Sequence, residues 1–396
     1  MNALLGETPE ARGEEMLKRA REIAPLVEAA GAEIERESRL PQRVLDAIVE
    51  AGLFKLITPR ELGGSEADLL SYVRCAEVLG AADASTGWCF VQAGHAGFTL
   101  APRIERSQAH EFFGGRRAVL AAGTMLRPGR ADVVEGGYLV SGEWSFGSGC
   151  MHATCFDARA FIWRDGEPVK NEQGVAPVYS MVVPKSEVEI IEGWDVRGMR
   201  GTGSHTFRVH GAFVPTGRAV EMYGSGSWAD IPICRVPGLG AAHMGFASMT
   251  LGAAGAMLDD FITLAGTKTP FAGRTRLGER STVQETVARM RGVLRGAQAF
   301  RDQASVGIWE EAKVGRVSIA ARTELRLASI HALDASVEIA DVIYRAAGTT
   351  AIFGDNVMQR RFQDIHVAAQ QLFGRTANYE NVGKFLLGME GDRGAL

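Results

Sequence analysis

The sequence is poor in the features that would settle its class at once. It has only five cysteines, at 75, 89, 150, 155 and 234, irregularly spaced and with no C-x-x-C pair. That pattern excludes a disulfide framework or a cysteine zinc site and reads as free thiols in a reducing cytoplasm. No apolar run approaches the roughly 20 residues of a membrane span, and Met1 to Glu7 contain no basic segment leading into an apolar one, so no secretory signal is expected. Positive charge is not in excess. The formal net charge of -4 gives nucleic acid or an anionic membrane no electrostatic hold. No pair among the eight histidines has H-E-x-x-H or similar spacing, so no metal is expected. Internal repeats and low-complexity segments are missing too. The best near-miss to a dinucleotide-binding loop, Gly238-Leu239-Gly240-Ala241-Ala242-His243, lacks the last glycine of G-x-G-x-x-G and follows no strand.

What remains is an ordinary soluble composition, 46% hydrophobic and 23% charged, in 396 residues, enough for about two or three domains. Up to about residue 116 the chain reads as helices. Residues 14–36 carry one apolar stripe among mixed charges; Pro41 and Gly52 bracket a helix between them; 67–79 is amphipathic. Asp83-Ala84-Ser85-Thr86 caps a largely apolar helix running towards Leu100 and containing His95, and a short helix covers 104–113. From 118 to about 215, short runs rich in Val, Ile, Phe and Tyr between Gly- and Pro-containing turns predict strands, with a hairpin at Glu135-Gly136-Gly137 and a pairing of 154–163 with 178–183. This suggests a sandwich or small barrel. Long helical runs over 241–264, 281–312, 316–345 and 356–387 predict a four-helix bundle. The fold class is therefore α+β, in three parts: helices over 1–116, a β domain over 117–218 and a bundle over 219–396. Strand and helix do not alternate, which argues against a doubly wound dinucleotide fold.

One stretch in the β region stands out, Trp144-Ser145-Phe146-Gly147-Ser148-Gly149 after the strand-like Gly137 to Glu143. Its ring, hydroxyls and glycines suit a close approach of backbone to a planar ligand; an ordinary strand-end turn is the other reading. Further motifs share its order along the chain: Asp83-Ala84-Ser85-Thr86-Gly87-Trp88, Gly123 to Ala131, Gly198-Met199-Arg200-Gly201-Thr202-Gly203-Ser204-His205, Phe213-Val214-Pro215 and Arg360-Arg361-Phe362-Gln363-Asp364-Ile365-His366. Taken together they resemble the acyl-CoA dehydrogenase superfamily, and within it the oxygenase components of two-component, flavin-dependent aromatic monooxygenases. The resemblance runs from about Ala24 to Leu387.

The resemblance implies a flavin between the β domain and the bundle, with Gly123, Thr124, Trp144, Ser145, Phe146 and Ser148 against its ring system, Arg274 at its phosphate from a neighbouring subunit, and Gly348 and Thr349 as a further backbone approach. Arg274 reads equally as a solvated loop residue, and Gly348 as a helix C-cap. The implied chemistry is that of a C4a-hydroperoxyflavin formed from reduced flavin (FADH2 or FMNH2) and O2, in a dry pocket. Ser148 is expected to hydrogen-bond at N5 or the peroxide. A neutral histidine can deprotonate a phenol or ring N–H; His95 is the first candidate, with a core histidine bonded to a carbonyl as the alternative. His366 is either part of the site or a structural partner of Asp364. Where many of these oxygenases place a further histidine, this chain has Gln371, which can hydrogen-bond but cannot exchange a proton; that suits an indole or other heteroaromatic ring as well as a phenol. Phe90, Met125, residues 241–257 and Phe373 are the expected pocket lining. A separate NAD(P)H-flavin reductase and a homotetramer follow from the same resemblance. The competing chemistry is acyl-CoA dehydrogenation, with Asp355 as base eight residues before Gln363; Gly354-Asp355-Asn356 also reads as a solvated turn. N- or S-oxygenation on the same scaffold is a further alternative.

Overall fold

The computed structural model describes residues 8–396 apart from 96–98, 102, 116, 118–119, 123–126, 223–227, 229 and 272; the side chains of 95, 120, 122 and 395 are also outside the description. Gly123, Thr124 and Met125, and the side chain of His95, therefore lie outside the described residues.

Helices α1 (Pro9–Glu37), α2 (Gln42–Ala51), α3 (Leu69–Ala82), α4 (Ala84–His95) and α5 (Arg106–Phe113) open the chain. Their starts follow from side chains that satisfy free N–H groups. Thr8 Oγ1 accepts from Ala11 N–H at 3.2 Å, with Pro9 in the first turn, and Asp68 Oδ1 accepts from Ser71 N–H at 2.9 Å. Asp83 Oδ1 accepts from both the N–H and the hydroxyl of Thr86, at 2.7 and 2.9 Å. The expected cap of α4 is thus present; the helix is described to His95, and the run expected from there towards Leu100 passes through 96–98, outside the described residues.

The strands are β1 (Leu120–Ala122), β2 (Gly129–Val134), β3 (Gly137–Trp144), β4 (Cys155–Asp157), β5 (Ala160–Arg164), β6 (Glu167–Pro168), β7 (Val178–Pro184), β8 (Val188–Ile191), β9 (Thr206–Pro215) and β10 (Ala219–Glu221). They form one mixed sheet in the order β1-β4-β7-β5-β2-β3-β9-β8, with β10 on β7 and β6 on β5. The β2–β3 hairpin turns at Gly136, whose φ of 77° is the left-handed conformation that favours glycine. The expected strand over 154–163 is two strands, β4 and β5, both antiparallel to β7. The break holds a buried ion pair, Arg159 Nε to Asp157 Oδ2 at 2.9 Å.

After α6 (Pro232–Arg235) come α7 (Gly238–Thr267), α8 (Ser281–Val314), α9 (Ile319–Ala347), α10 (Val357–Ala369) and α11 (Ala377–Leu386). The helical run expected over 356–387 is thus two helices, parted by Gln371 and the tight turn Leu372–Gly374. Helices α1 to α4 share a core with the C-terminal helices, which runs from Met16 and Leu17 through Tyr72, Phe90 and Phe261 to Ile339 and Ile365, while α5 packs in a smaller cluster with Cys155, Val182 and Trp228. Glycines let α3 and α7 touch backbone to backbone. A Cβ on Gly80 would meet Met249 O at 2.1 Å, and one on Gly252 would meet Glu77 O at 2.1 Å. The β domain keeps a separate core around Trp144, Phe156 and Phe207. No helix among the described residues is long and apolar enough to cross a membrane.

Candidate functional site

The turn after β3 sits where the β domain faces the helices. Trp144 ends β3 and is fully buried. Its indole stacks on Phe207 with centroids 5.2 Å apart, and Nε1 donates to Arg159 O at 2.9 Å. Room for the ring comes from Gly129 and Gly142, where a Cβ would come within 2.5 and 2.8 Å of it. Trp144 therefore anchors the turn from the β core, facing inward with Val140, rather than presenting its ring at an open surface. Ser145 and Phe146 are exposed beyond it. Phe146 takes φ 59°, uncommon for a large side chain and a form of strain that surrounding structure must hold. The residue is 59% exposed, and its ring stands nearly perpendicular to that of Trp194, with centroids 5.8 Å apart.

Ser148 is the polar centre of this turn. Only 6% exposed, its Oγ accepts from Trp88 Nε1 of α4 at 3.0 Å and lies 2.8 Å from Ser204 Oγ. Ser204 Oγ is in turn 2.6 Å from Thr202 Oγ1, which donates to Met199 O at 2.8 Å. Each hydroxyl has a single proton. With Thr202 donating to the carbonyl, Ser204 donates to Thr202 and Ser148 to Ser204. The Ser148 proton is thus committed, one lone pair receives the indole N–H, and one lone pair is left.

The turn that carries Thr202 and Ser204 is braced by α10. Met199 N–H donates to Asp364 Oδ1 at 2.5 Å, and a Cβ on Gly198 would strike Gln363 O at 2.4 Å. Burial, followed by the neighbouring Asp83 carboxylate, pushes Asp364 up to about 8. His366 is not its partner. Two residues on, it faces the opposite side of α10, where Nε2 lies 3.1 Å from Asp341 Oδ1 of α9. His205 is also occupied: Nδ1 accepts the N–H groups of Gly193 and Trp194, both at 3.1 Å.

Among the expected pocket residues, Phe90 packs on Tyr72 inside the helical core. Phe373 is better placed, since it stacks on Phe246 of α7, which meets the ring of Trp88 at 4.2 Å. Gln371, just before it, is half-buried and its Nε2 has no acceptor. Arg274 is exposed in the loop after α7. Gly348 caps α9 at φ 62° and is exposed, as is Thr349. Lys268 Nζ, donating to Ala347 O at 2.8 Å, holds the root of the Arg274 loop at that end of α9. No described hydrogen bond links either element to the Ser148 turn within one chain. Asp355 is exposed in the turn before α10. Of the residues that build the hydroxyl chain, Trp88, Thr202, Ser204 and Asp364 were visible only as members of motifs, with no role assigned.

The residues fit a flavin. A buried hydroxyl keeps one lone pair free beside a turn whose Gly147 has no room for a side chain, a Cβ there meeting His205 O at 2.9 Å. The comparisons with known proteins agree. Residues 13–104 match the family described as "Acyl-CoA dehydrogenase, N-terminal domain" and 244–374 "Acyl-CoA dehydrogenase, C-terminal domain". The chain is 28% identical over 363 residues to an indole-3-acetate monooxygenase of Pseudomonas putida, covering 90% of each. It is 27% identical over 370 residues to the flavin-dependent monooxygenase oxygenase subunit HsaA of Rhodococcus jostii, covering 88% of this chain and 92% of that one. The solved structure of XiaF from Streptomyces sp., in complex with FADH2 and glycerol, superposes with a TM-score of 0.89 at 26% identity over 96% of both chains. Fold, ordered motifs and relatives converge: the chain belongs to the acyl-CoA dehydrogenase superfamily, in its branch of reduced-flavin-dependent, two-component monooxygenases.

Proposed function

We propose that the chain inserts one oxygen atom of O2 into an indole- or phenol-type ring, using reduced flavin delivered by a separate NAD(P)H reductase. The observation that carries this reading is the polarity of the hydroxyl chain. Its order leaves Ser148 a lone pair and no free proton. A reduced flavin presents an N–H at its central ring, whereas an oxidised one presents a bare nitrogen, so Ser148 complements the reduced form. Bound reduced flavin supplies the electrons that let one oxygen atom enter the substrate ring while the other leaves as water. The rest is the work of the chain. Trp88 and Ser204 fix the Ser148 hydroxyl, and Trp144 holds the turn from behind. Trp88, Phe246 and Phe373 form a run of aromatic rings suited to an aromatic substrate and hostile to water. Gln371 offers a hydrogen bond there but no proton exchange, which favours rings that need little help from a base.

We assign Arg274 to the flavin phosphate of a neighbouring subunit in a homotetramer, with Gly348 and Thr349 at the same junction. Arg suits phosphate through paired charged hydrogen bonds. Fully exposed Phe271 beside Arg274, and exposed Ile352 and Phe353 after Thr349, support burial of that region against another copy. The test is a turnover assay with a generic flavin reductase, NADH and a panel of indoles and phenols, read by mass gain of one oxygen. The chain alone is expected to leave NADH unoxidised, and the coupled system to yield a hydroxylated product. Anaerobic bleaching of bound flavin by an acyl-CoA would reverse the assignment.

A further inference from the structure

Trp194 is a large residue where the fold has little use for one. It lies between β8 and β9, is half-buried, and among the described residues belongs to none of the apolar clusters. It lines an open cavity of about 530 Å³ together with Ser38, Met151 and His205. Its described bonds lead to the candidate site instead. The backbone N–H donates to His205 Nδ1 at 3.1 Å, and His205 O receives the N–H of Gly147 at 2.9 Å. The ring meets that of Phe146 edge-on. The indole Nε1 donates to Met199 O at 3.1 Å. That carbonyl is also where the hydroxyl chain ends, with Thr202 Oγ1 at 2.8 Å and Thr202 N–H at 3.2 Å.

Phe146 and Met199 are two of the five described non-glycine residues with positive φ, at 59° and 55°. Such backbone is held by its surroundings, and this kind of strain clusters at functional sites. Trp194 meets both residues. Met199, 2% exposed, is pinned on two sides: Asp364 Oδ1 takes its N–H, while Trp194 and Thr202 hold its carbonyl. What depends on that carbonyl is the order of the protons. Three hydroxyls in a row have two self-consistent arrangements. In one, every proton points towards Met199 O and Ser148 is left a lone pair. In the other, every proton points away, Met199 O loses the Thr202 hydroxyl, and Ser148 has a proton to give. Resting on the oxygenase reading above, we propose that Trp194 is a positioning residue for Ser148: by holding Met199 O against Thr202 it keeps the hydroxyls in the order that leaves Ser148 an acceptor for reduced flavin. Without the indole N–H, relaxation of the strained Met199 backbone carries the carbonyl off Thr202 and admits the reverse order.

The test is anaerobic equilibrium titration of the chain with FAD and FMN, each oxidised and dithionite-reduced. Trp194→Phe keeps a ring against Phe146 and removes the N–H. The preference for reduced over oxidised flavin should shrink about fivefold, the scale of one hydrogen bond, through tighter binding of the oxidised form. A ring that only filled space would weaken both forms together. The second mark is non-additivity. In a Ser204→Ala chain the link from Met199 O to Ser148 is already cut, so adding Trp194→Phe should change the preference less than about twofold. Where Trp194→Phe fails to fold by circular dichroism, benzothienylalanine at position 194 takes its place, an isostere with sulfur for the N–H. A preference absent from the unaltered chain or unchanged in Trp194→Phe, a loss that falls equally on both forms, or additive effects in the double variant overturns the assignment. Failure of the unaltered chain to bind reduced flavin overturns the oxygenase reading and the assignment with it. Reduced flavin bound with the expected preference, but no hydroxylation in the coupled assay, counts against the oxygenase reading alone.

Discussion

The hydroxyl chain at Ser148 and the cluster at Arg326 are the two ends of one run of aromatic rings, from Trp88 through Phe246 and Phe373 to His243, and they differ in how completely they are bonded. From Trp88 to Met199 each donor has an acceptor, and each hydroxyl's direction follows from its neighbours. At the other end Arg326 donates to His243 Nε2 and Asn378 Oδ1, while two donors, His243 Nδ1 and Gln371 Nε2, have no acceptor and the arginine no opposing carboxylate among the described residues. A saturated network fixes one atom's hydrogen-bonding sense in advance, whereas an unsaturated one leaves it open. On the function proposed above, the first end selects the reduced form of the flavin.

The strongest way to break this comparison is to remove the saturated end. Ser148→Ala leaves the Trp88 indole N–H without an acceptor and presents no lone pair to the ligand. Product formed per NADH consumed in the coupled assay should fall on the order of 100-fold, the scale of deleting one preorganised polar group from an active site. Stability should drop by about 1–3 kcal/mol, the cost of an unsatisfied buried donor, measurable by urea titration. Unchanged coupling would take Ser148 out of the chemistry. A smaller change tests direction rather than presence. In Ser204→Ala the Ser148 hydroxyl loses its acceptor and its proton is free to donate. The preference for reduced over oxidised flavin, measured by equilibrium titration of each form, should shrink about tenfold through tighter binding of the oxidised form. A preference that stays intact would mean that the order of the hydroxyls has no bearing on redox state.

The brace behind the chain gives a pH test. Asp364 has a folded-state pKa of about 8, against 3.8 for the free side chain, because burial and Asp83 disfavour its charge. Between those values the folded chain holds a proton that the unfolded chain has released. Unfolding is then increasingly favoured as pH rises through the window, and the contribution is gone above about pH 8. The melting temperature should fall by a few degrees from about pH 6 to about pH 9. Asp364→Asn keeps an acceptor for Met199 N–H but cannot titrate, so it should flatten that fall. An equally steep fall in the variant would place the titrating group elsewhere.

The sequence made much of the fold legible because helices and strands write their periods into it. Pro41 and Gly52 do bracket a helix, and Glu135-Gly136-Gly137 does turn a hairpin. Breaks inside continuous patterns were not legible. The break in one expected strand holds the Asp157–Arg159 pair, and the turn at Leu372–Gly374 that parts one expected helix is held by Asn378; both are local side-chain bonds that a hydrophobic period does not carry. In the site, Ser148 was visible as a hydroxyl between glycines. Its partners were not, since Trp88 is 60 and Ser204 56 positions away. Trp144 could have been placed by strand parity, which puts it on the inward face with Val140. Nothing in the sequence distinguished Arg326 from other arginines on an amphipathic helix, because its lack of an acidic partner among the described residues is a fact of space.

The contrast between bonded and unbonded polar groups also identifies a carboxylate that should matter little. Asp355 occupies the position that a dehydrogenase base would need, but it is exposed in the turn before α10. An exposed carboxylate is held in no fixed geometry and is hydrated, so neither of the conditions that make a buried base effective is met. Its neighbour Asn356 does the local structural work, capping α10 through Oδ1 to Met358 N–H at 2.9 Å and donating to Thr350 O at 3.1 Å. Asp355→Asn should therefore leave the coupled hydroxylation rate within about twofold and stability within about 0.5 kcal/mol, the range of ordinary surface substitutions. A loss of more than about tenfold in rate with an unchanged melting temperature would put this carboxylate back at the reacting atoms, and with it the proton abstraction that the rest of the site does not provide for.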